Sequence, residues 1–167
     1  RGDSGDGSSR QGLGTMRPVM QTRFGWPDGN CTEACIASML GCGIEDVPDL
    51  KERCNRVEGK TGAPVLPVLN AWLKDRGLSV LWVDLQSVHS AGQILSLHGE
   101  FVHLMSGPSP RCDDGSFEHM VVAVNGRMIH DPYPGGEGIS GRATGHGYLV
   151  KLFEPGSGGR SDSGRSL

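Results

Sequence analysis

Residues 21–41, QTRFGWPDGNCTEACIASMLG, decide the fold, because they contain an apolar helix that begins at a cysteine. Asn30 followed by Glu33 has the spacing of an N-cap and its reciprocal partner. This spacing predicts that Cys31 lies in the first turn of a helix running to about Gly41. The helical residues after Cys31 are apolar almost all round, which is typical of a helix buried on most sides. We therefore predict that this is the central helix of the fold.

The rest of the chain predicts two more helices and then a sheet. A short helix is expected after Pro48, and another from about Pro64 to Arg76, where Gly77 ends it. Short apolar runs bounded by Gly and Pro then predict strands at 78–83, 101–106, 119–124, 127–131 and 147–153. The Asn125-Gly126 dipeptide predicts a hairpin between the third and fourth strands. Helices followed by an antiparallel sheet indicate an α+β domain.

The composition predicts one domain with an unstructured segment at each end. A chain of 167 residues suits a single core. Residues 1–15 and 156–167 are almost entirely Gly, Ser, Asp, Arg and Gln, so they bury too little apolar area to offset chain entropy and are expected to be disordered. Residues 16–155 are therefore the predicted domain.

Charge and cysteine content narrow the functional class. The net charge is -3 and the charged residues are interspersed, which argues against a nucleic acid or anionic membrane partner. Neither a membrane span nor a signal peptide is predicted, so a cytoplasmic location is expected. The cysteines are odd in number, five, and lack zinc-ribbon spacing. Free thiols and the absence of any metal or cofactor are therefore expected.

Cys31 is the cysteine best placed to act as a nucleophile. The first turn of a helix presents free N-H groups and the positive end of the helix dipole, which predicts a lowered pKa for its thiol. Cys35 and Cys42 are expected to be small buried hydrophobes, and Cys54 and Cys112 have no local feature that would activate them. Cys31 is the predicted nucleophile.

A thiol nucleophile requires an imidazole base that a third side chain orients. His119 opens a predicted strand, and the hairpin partner of that strand carries His130 and Asp131. The other four histidines, His89, His98, His103 and His146, are expected to be exposed or to fill the core. His119 is therefore the predicted base.

The register of the hairpin decides which side chain accompanies His119. With a two-residue loop, Val124 pairs with Arg127, and His119 shares a face with His130. With a three-residue loop and a bulge, Val124 pairs with Met128, and Asp131 shares the face of His119 as a diagonal neighbour. The sequence leaves both registers open. A Cys-His-Asp site requires Asp131 beside His119 and predicts the longer loop.

Three further residues ahead of Cys31 are candidates for binding. Gln21 is a candidate side-chain amide donor to an oxyanion. Trp26 and Asn30 are candidate contacts for substrate, and the glycine-rich loops 106–118 and 133–147 are candidate lids or ordinary surface loops.

The order of Gln21, Cys31, His119 and Asp131-Pro132 resembles the C39-like branch of the papain-like cysteine peptidases. The phrases QTRFGWPDGNCTEACIASMLG, LMSGPSPR and HMVVAVNGRMIHDPYP also resemble those of uncharacterised bacterial and phage proteins with the same expected fold. The resemblance implies a central N-terminal helix packed on an antiparallel sheet and a Cys-His-Asp triad with Gln21 in the oxyanion hole. The loop FGWPDG (24–29) must then double back for the amide of Gln21 to reach the site.

The resemblance implies a thiol hydrolase that cleaves a peptide, isopeptide or amide bond in a peptide or protein substrate, without a cofactor. One alternative is a binding module that keeps the papain-like fold without turnover, as a phage or host-interaction factor. Acyl transfer to an amine on the same fold is another. A metal site built from His119, His130, Asp131 and a cysteine is disfavoured, because adjacent residues of a strand project to opposite faces.

Overall fold

The computed structural model describes residues 16–56, 64–85 and 101–153. Within these ranges the helices are α1 (Cys31–Leu40), α2 (Leu50–Arg53) and α3 (Val65–Lys74), with a single 3-10 turn at Ile44–Asp46. The strands are β1 (Leu78–Asp84), β2 (Val102–Pro108), β3 (Glu118–Val124), β4 (Arg127–His130) and β5 (Gly145–Lys151). The predicted α+β class is confirmed. Both terminal segments expected to be disordered lie outside the described residues.

Helix α1 lies in the core, as its sequence predicts. Every residue from Glu33 to Met39 is buried, and Gly41 ends the helix in a left-handed conformation with φ 68°. The predicted reciprocal capping of Asn30 and Glu33 is wrong, because the Asn30 side chain caps no helical N-H group. Both side chains instead form hydrogen bonds outside the helix. The backbone N-H of Leu50 donates to Glu33 Oε1 at 3.1 Å, and the Asn30 side chain binds the preceding loop.

Helix α2 begins at a side-chain cap, and helix α3 is followed by a glycine turn. The carboxylate of Asp49 accepts a hydrogen bond from the Glu52 N-H at 3.0 Å and so caps α2. Helix α3 packs on β1 and buries Leu69 and Leu73. Gly77, at φ 65°, turns the chain from α3 into β1.

The strands form one antiparallel sheet in the order β1-β5-β2-β3-β4. All five predicted strands are present, with ends that differ from the predicted ones by one or two residues. Strand β4 pairs only with residues Val122 to Val124 of β3. The first half of β3 is therefore left without a strand on that side, and this gap is where α1 begins.

The main core lies between the helices and one face of the sheet, here called the helix face, which carries Leu104 and Val122. The opposite face carries a smaller apolar group, in which Met105, Val121 and Ala123 pack with Ile139 and Ala143 of the loop before β5. Because side chains alternate along a strand, His119 lies on the same face as Val121. Within the described ranges, no helix has the length and apolar character needed to cross a membrane.

Candidate active site

Cys31 begins helix α1 beside the backbone of β3. A backbone hydrogen bond at Met120 reaches its thiol, and the thiol of Cys35, one turn further on, donates to the Met120 carbonyl oxygen at 3.4 Å. The N-terminus of α1 therefore covers the part of β3 that β4 leaves unpaired. This contact brings Cys31 next to the start of the strand that carries His119.

Burial of the Cys31 thiol raises its pKa, and the nearby Glu33 carboxylate adds to this effect. Hydrogen bonds from Met120 and Thr32 act in the opposite direction without cancelling it. The prediction of a lowered pKa is therefore wrong: desolvation of the thiolate outweighs the groups that stabilise it at the helix start. At neutral pH the thiol is protonated.

The β3-β4 hairpin combines features of both registers that the sequence left open. Its loop has two residues, since Val124 pairs with Arg127 and Ala123 with Met128. The longer loop required by the Cys-His-Asp hypothesis is therefore wrong. However, the hairpin also has a bulge, because Val122 pairs with His130 and Ile129 has no partner. The extra residue shifts the end of β4 by one position, which brings Asp131 to the face of His119.

His119 and Asp131 form a buried hydrogen-bonded pair. His119 Nε2 lies 2.7 Å from Asp131 Oδ1. The same oxygen accepts the N-H of Tyr133 at 2.8 Å, and Oδ2 accepts the N-H of Gly138 at 2.6 Å. With a carboxylate at Nε2, the ring donates there, and Nδ1 is left as the nitrogen able to accept a proton.

The pKa values of this pair favour a neutral imidazole beside an ionised carboxylate. Burial works against ionisation of Asp131, but hydrogen bonds from His119, Tyr133 and Gly138 outweigh it and lower its pKa. Burial also lowers the pKa of His119, against the opposing effect of Asp131. At neutral pH, His119 is therefore available as a base rather than already protonated.

Gln21 is buried at the same site. Its backbone N-H donates to the Pro132 carbonyl at 2.9 Å, which ties it to the residue after Asp131. Its side-chain Nε2 donates to the Arg23 carbonyl at 3.1 Å, and its Oε1 is buried without a hydrogen-bond partner among the described residues. Nε2 carries a second hydrogen, so the amide retains a donor for another acceptor.

The loop between Gln21 and Cys31 does double back. The N-H of Gly29 donates to the Gly25 carbonyl at 2.5 Å, and the Asn30 N-H donates to the Arg23 carbonyl at 3.3 Å. The Asn30 side chain completes this closure. Its Oδ1 accepts the N-H groups of Thr22 and Arg23, each at 3.0 Å, and its Nδ2 donates to Thr22 Oγ1 at 3.0 Å.

Asn30 thus differs from its prediction as a substrate contact. It is buried, its polar atoms are used within the loop, and it does not line the cavity next to Cys31. The structure gives it a positioning role: it holds the loop that carries Gln21 against the start of α1.

This cavity, of about 870 Å³, unites the candidate residues. Gln21, Cys31 and His119 line it, as does Trp26, the other predicted substrate contact. Asp131 lies behind His119 and is not part of the wall. One part of the wall is apolar, with side chains from α3 and the sheet: Val65, Leu66, Leu69, Trp82 and Leu104.

Aromatic rings and arginines also line the cavity, and of these residues sequence reasoning singled out only Trp26. Trp26 stacks on Phe117 at 6.0 Å between ring centroids, with the Arg56 guanidinium 5.6 Å from the Trp26 ring. The guanidinium carbon of Arg111, another lining residue, lies 3.8 Å from the ring centroid of Tyr133. These residues belong to loops that are distant in sequence. The only signal available was that Phe117, Arg111 and Tyr133 lie in the candidate lid loops.

The other cysteines and histidines that the structure describes have no evident role in the candidate site. All five cysteines are free, and Cys35 is fully buried with a pKa raised well above its ordinary value by desolvation. His130 Nε2 lies 2.9 Å from the Val19 carbonyl oxygen, away from His119. In the described part of the chain, no group of three or more His, Cys, Asp or Glu side chains is arranged to hold a metal ion. His103 and His146 are buried and stack on each other, whereas His89 and His98 lie outside the described residues.

Compared with known proteins, the chain matches no family model, no curated protein and no solved structure.

Proposed function

We propose that this chain is a papain-like thiol hydrolase of the C39 type, in which Cys31 is the nucleophile, His119 the base and Asp131 the residue that orients the base. The observation that carries the proposal is the buried 2.7 Å contact of His119 with Asp131 in a cavity that Cys31 and Gln21 also line. A neutral imidazole beside an ionised carboxylate suits a general base that takes the proton of the Cys31 thiol as the sulfur attacks.

In the first half of the reaction, His119 Nδ1 takes the proton of the Cys31 thiol as the sulfur attacks the substrate carbonyl carbon. The carbonyl oxygen becomes an oxyanion, and the free hydrogen of Gln21 Nε2 stabilises it. The carbon-nitrogen bond then breaks, and His119 gives its proton to the departing amine. A thioester on Cys31 remains.

In the second half, a water molecule loses a proton to His119 and attacks the thioester carbon. The carbon-sulfur bond breaks, the acid leaves, and the proton returns to the Cys31 sulfur. Asp131 stays ionised throughout and fixes the tautomer of His119 through Nε2. We propose a peptide or protein as the substrate and a reducing compartment such as the cytoplasm as the location, in keeping with five free thiols.

The proposal is tested with p-nitrophenyl acetate, which acylates active-site thiols without requiring a known substrate. We expect a burst of p-nitrophenolate equal to the enzyme concentration and an acetyl group on Cys31 by mass spectrometry. The burst should be absent in Cys31→Ala, slowed at least about a hundredfold in His119→Ala, and unchanged in Cys42→Ala. His130→Ala is the matched control for a buried histidine outside the site. Acetylation of Cys31 no faster than that of Cys112 would refute the proposal.

One observation supports the second candidate, a binding module that keeps the fold without turnover. Burial raises the pKa of Cys31, so the thiol is not activated in the resting protein. In such a module, Cys31→Ala would leave partner binding intact, and neither His119→Ala nor Asp131→Asn would change acetylation of Cys31. If an added amine increases the rate of deacylation and appears in the product, the same site is an acyltransferase.

A further inference from the structure

Arg111 lines the same cavity as His119 and belongs to the loop between β2 and β3. Its position is fixed from both ends. Its backbone N-H donates to Ser109 Oγ at 3.3 Å, and its guanidinium carbon lies 3.8 Å from the ring centroid of Tyr133. Because Tyr133 comes two residues after Asp131 in the chain, the guanidinium is held close to the His119-Asp131 pair.

Only one nitrogen of the Arg111 guanidinium is used in an ion pair with another described residue. Nη1 lies 3.1 Å from Glu137 Oε2, in an ion pair whose Glu137 side chain is 52% exposed. Among the described residues, neither Nη2 nor Nε of Arg111 has a hydrogen-bond partner. An exposed ion pair of this kind is weak, so it competes little with a ligand held inside the cavity.

The positive charge of Arg111 affects the pKa of His119, the candidate base. Burial is the main cause of the lowered pKa of His119, and the positive charge of Arg111 lowers it further. Arg111 and His119 therefore interact electrostatically and line the same cavity.

We infer that Arg111 binds a carboxylate on the leaving-group side of the substrate, so that the amine released carries a free carboxylate near the cleaved bond. The inference rests on the proposed function, in which His119 gives its proton to the departing amine and thus marks the leaving-group side of the cavity. The C-terminal residue of a peptide has this chemistry, since its α-carboxylate is two bonds from its nitrogen. A planar guanidinium with two free nitrogens matches such a carboxylate.

The first test needs no turnover. Iodoacetate and iodoacetamide alkylate thiols by the same reaction and differ by one carboxylate, so the ratio of their rates at Cys31 measures attraction of that carboxylate. N-acetylcysteine amide serves as the reference thiol. We expect a normalised ratio of about ten in the wild type, from one charge-assisted hydrogen-bonded contact, and a ratio near one in Arg111→Gln.

The matched control is Arg76→Gln. Arg76 also lies 3.8 Å from the centroid of an aromatic ring, that of Trp72, but it does not line the cavity. This variant should keep the wild-type ratio. The iodoacetamide rate at Cys31 and the urea midpoint confirm that both variants are folded. A wild-type ratio near one, or a ratio unchanged in Arg111→Gln, overturns the inference.

The second test uses pairs of short peptides with a free or an amidated C-terminus, with cleavage followed by mass spectrometry. We expect the wild type to cleave the final bond of the free acids at least tenfold faster, mainly through KM, and Arg111→Gln to cleave both forms at equal rates. Equal rates in the wild type would overturn the inference and leave the proposed function standing. If neither form is cleaved and p-nitrophenyl acetate gives no burst, the proposed function fails, and the alkylation ratio alone decides whether Arg111 binds a carboxylate.

Discussion

Replacing Asp131 by Asn removes one charge and alters one atom at the centre of the site. In the wild type, Oδ1 accepts hydrogen bonds from His119 and Tyr133, and Oδ2 accepts one from Gly138. The amide of Asn has only one acceptor oxygen. That oxygen is expected to stay on the side of His119 and Tyr133, where it keeps two bonds, so that its NH₂ group faces the N-H of Gly138.

The loss of stability can be worked out from these three contacts. Two hydrogen bonds change from a charged to a neutral acceptor, a loss of about 1 kcal/mol each, and the opposed N-H groups at Gly138 cost about 1 to 3 kcal/mol more. We therefore expect Asp131→Asn to lower the free energy of unfolding by about 3 to 5 kcal/mol at pH 7. His119 should keep its tautomer, because the retained oxygen still accepts from Nε2, while its pKa falls further without the carboxylate.

The pH dependence provides an independent check. The pKa of Asp131 is lower in the folded protein, so the stability it contributes is present above the unfolded value of about 4 and is lost as the pH falls through the folded value. The difference between wild type and Asp131→Asn should be full at pH 7 and shrink as the pH falls below about 4.

Urea unfolding at a series of pH values measures both effects. Asp114→Asn is the control. Asp114 also accepts hydrogen bonds, from Cys112 and from the Ser116 N-H, but it lies on the surface, where solvent screens its charge, so the urea midpoint of this variant should change much less than that of Asp131→Asn. A loss below about 1 kcal/mol at pH 7, or a loss that stays the same at pH 3, would refute this account of the site.

Three further predictions concern the surroundings of the site. Asn30→Ala should lower the free energy of unfolding by about 2 to 4 kcal/mol, because it deletes three hydrogen bonds. Thr22→Ala deletes only one of them and should lower the free energy of unfolding by about 1 kcal/mol or less. Similar urea midpoints for the two variants would contradict this prediction. The rate of Cys31 alkylation by iodoacetamide should still be rising at about pH 8.5, because burial raises the pKa of the thiol; a plateau below pH 7 would contradict the desolvation argument. A Cβ atom at Gly145 would stand 2.5 Å from Cζ2 of Trp82. Gly145→Ala should therefore displace that ring, change the tryptophan fluorescence and lower the free energy of unfolding by about 1 to 3 kcal/mol. An unchanged fluorescence spectrum and urea midpoint would contradict this prediction.

The sequence predicted the elements of the fold well, because each of them has a local signal. Helix α1 is predictable from a stretch that is apolar almost all round and ends at a glycine. The β3-β4 hairpin is predictable from Asn125-Gly126, which has φ values of 50° and 75° in the turn. The Cys-His-Asp hypothesis required His119 to lie close to Asp131, as it does, whereas the sequence itself left the register of the hairpin open.

The parts that the sequence did not predict depend on contacts between distant segments. The bulge at Ile129 has no glycine or other local mark, so the two-residue turn and the position of Asp131 looked incompatible until the pairing was known. Local spacing predicted that Asn30 and Glu33 cap α1. Instead, the Asn30 side chain binds the loop before the helix, and the Glu33 carboxylate accepts a hydrogen bond from the Leu50 N-H. The pKa of Cys31 depends on how deeply the helix start is buried, and no pattern of residue types records that depth.

The contact between α1 and Met120 has a consequence for self-association. A strand edge with free N-H and C=O groups is a template on which another chain can add a strand, and sheets avoid aggregation by covering such edges. Strand β4 protects only the last part of β3, and the cysteine side chains of α1 occupy the backbone groups of Met120. The start of the central helix thus blocks the addition of another strand to this part of β3, at the same place where it presents Cys31 to the cavity.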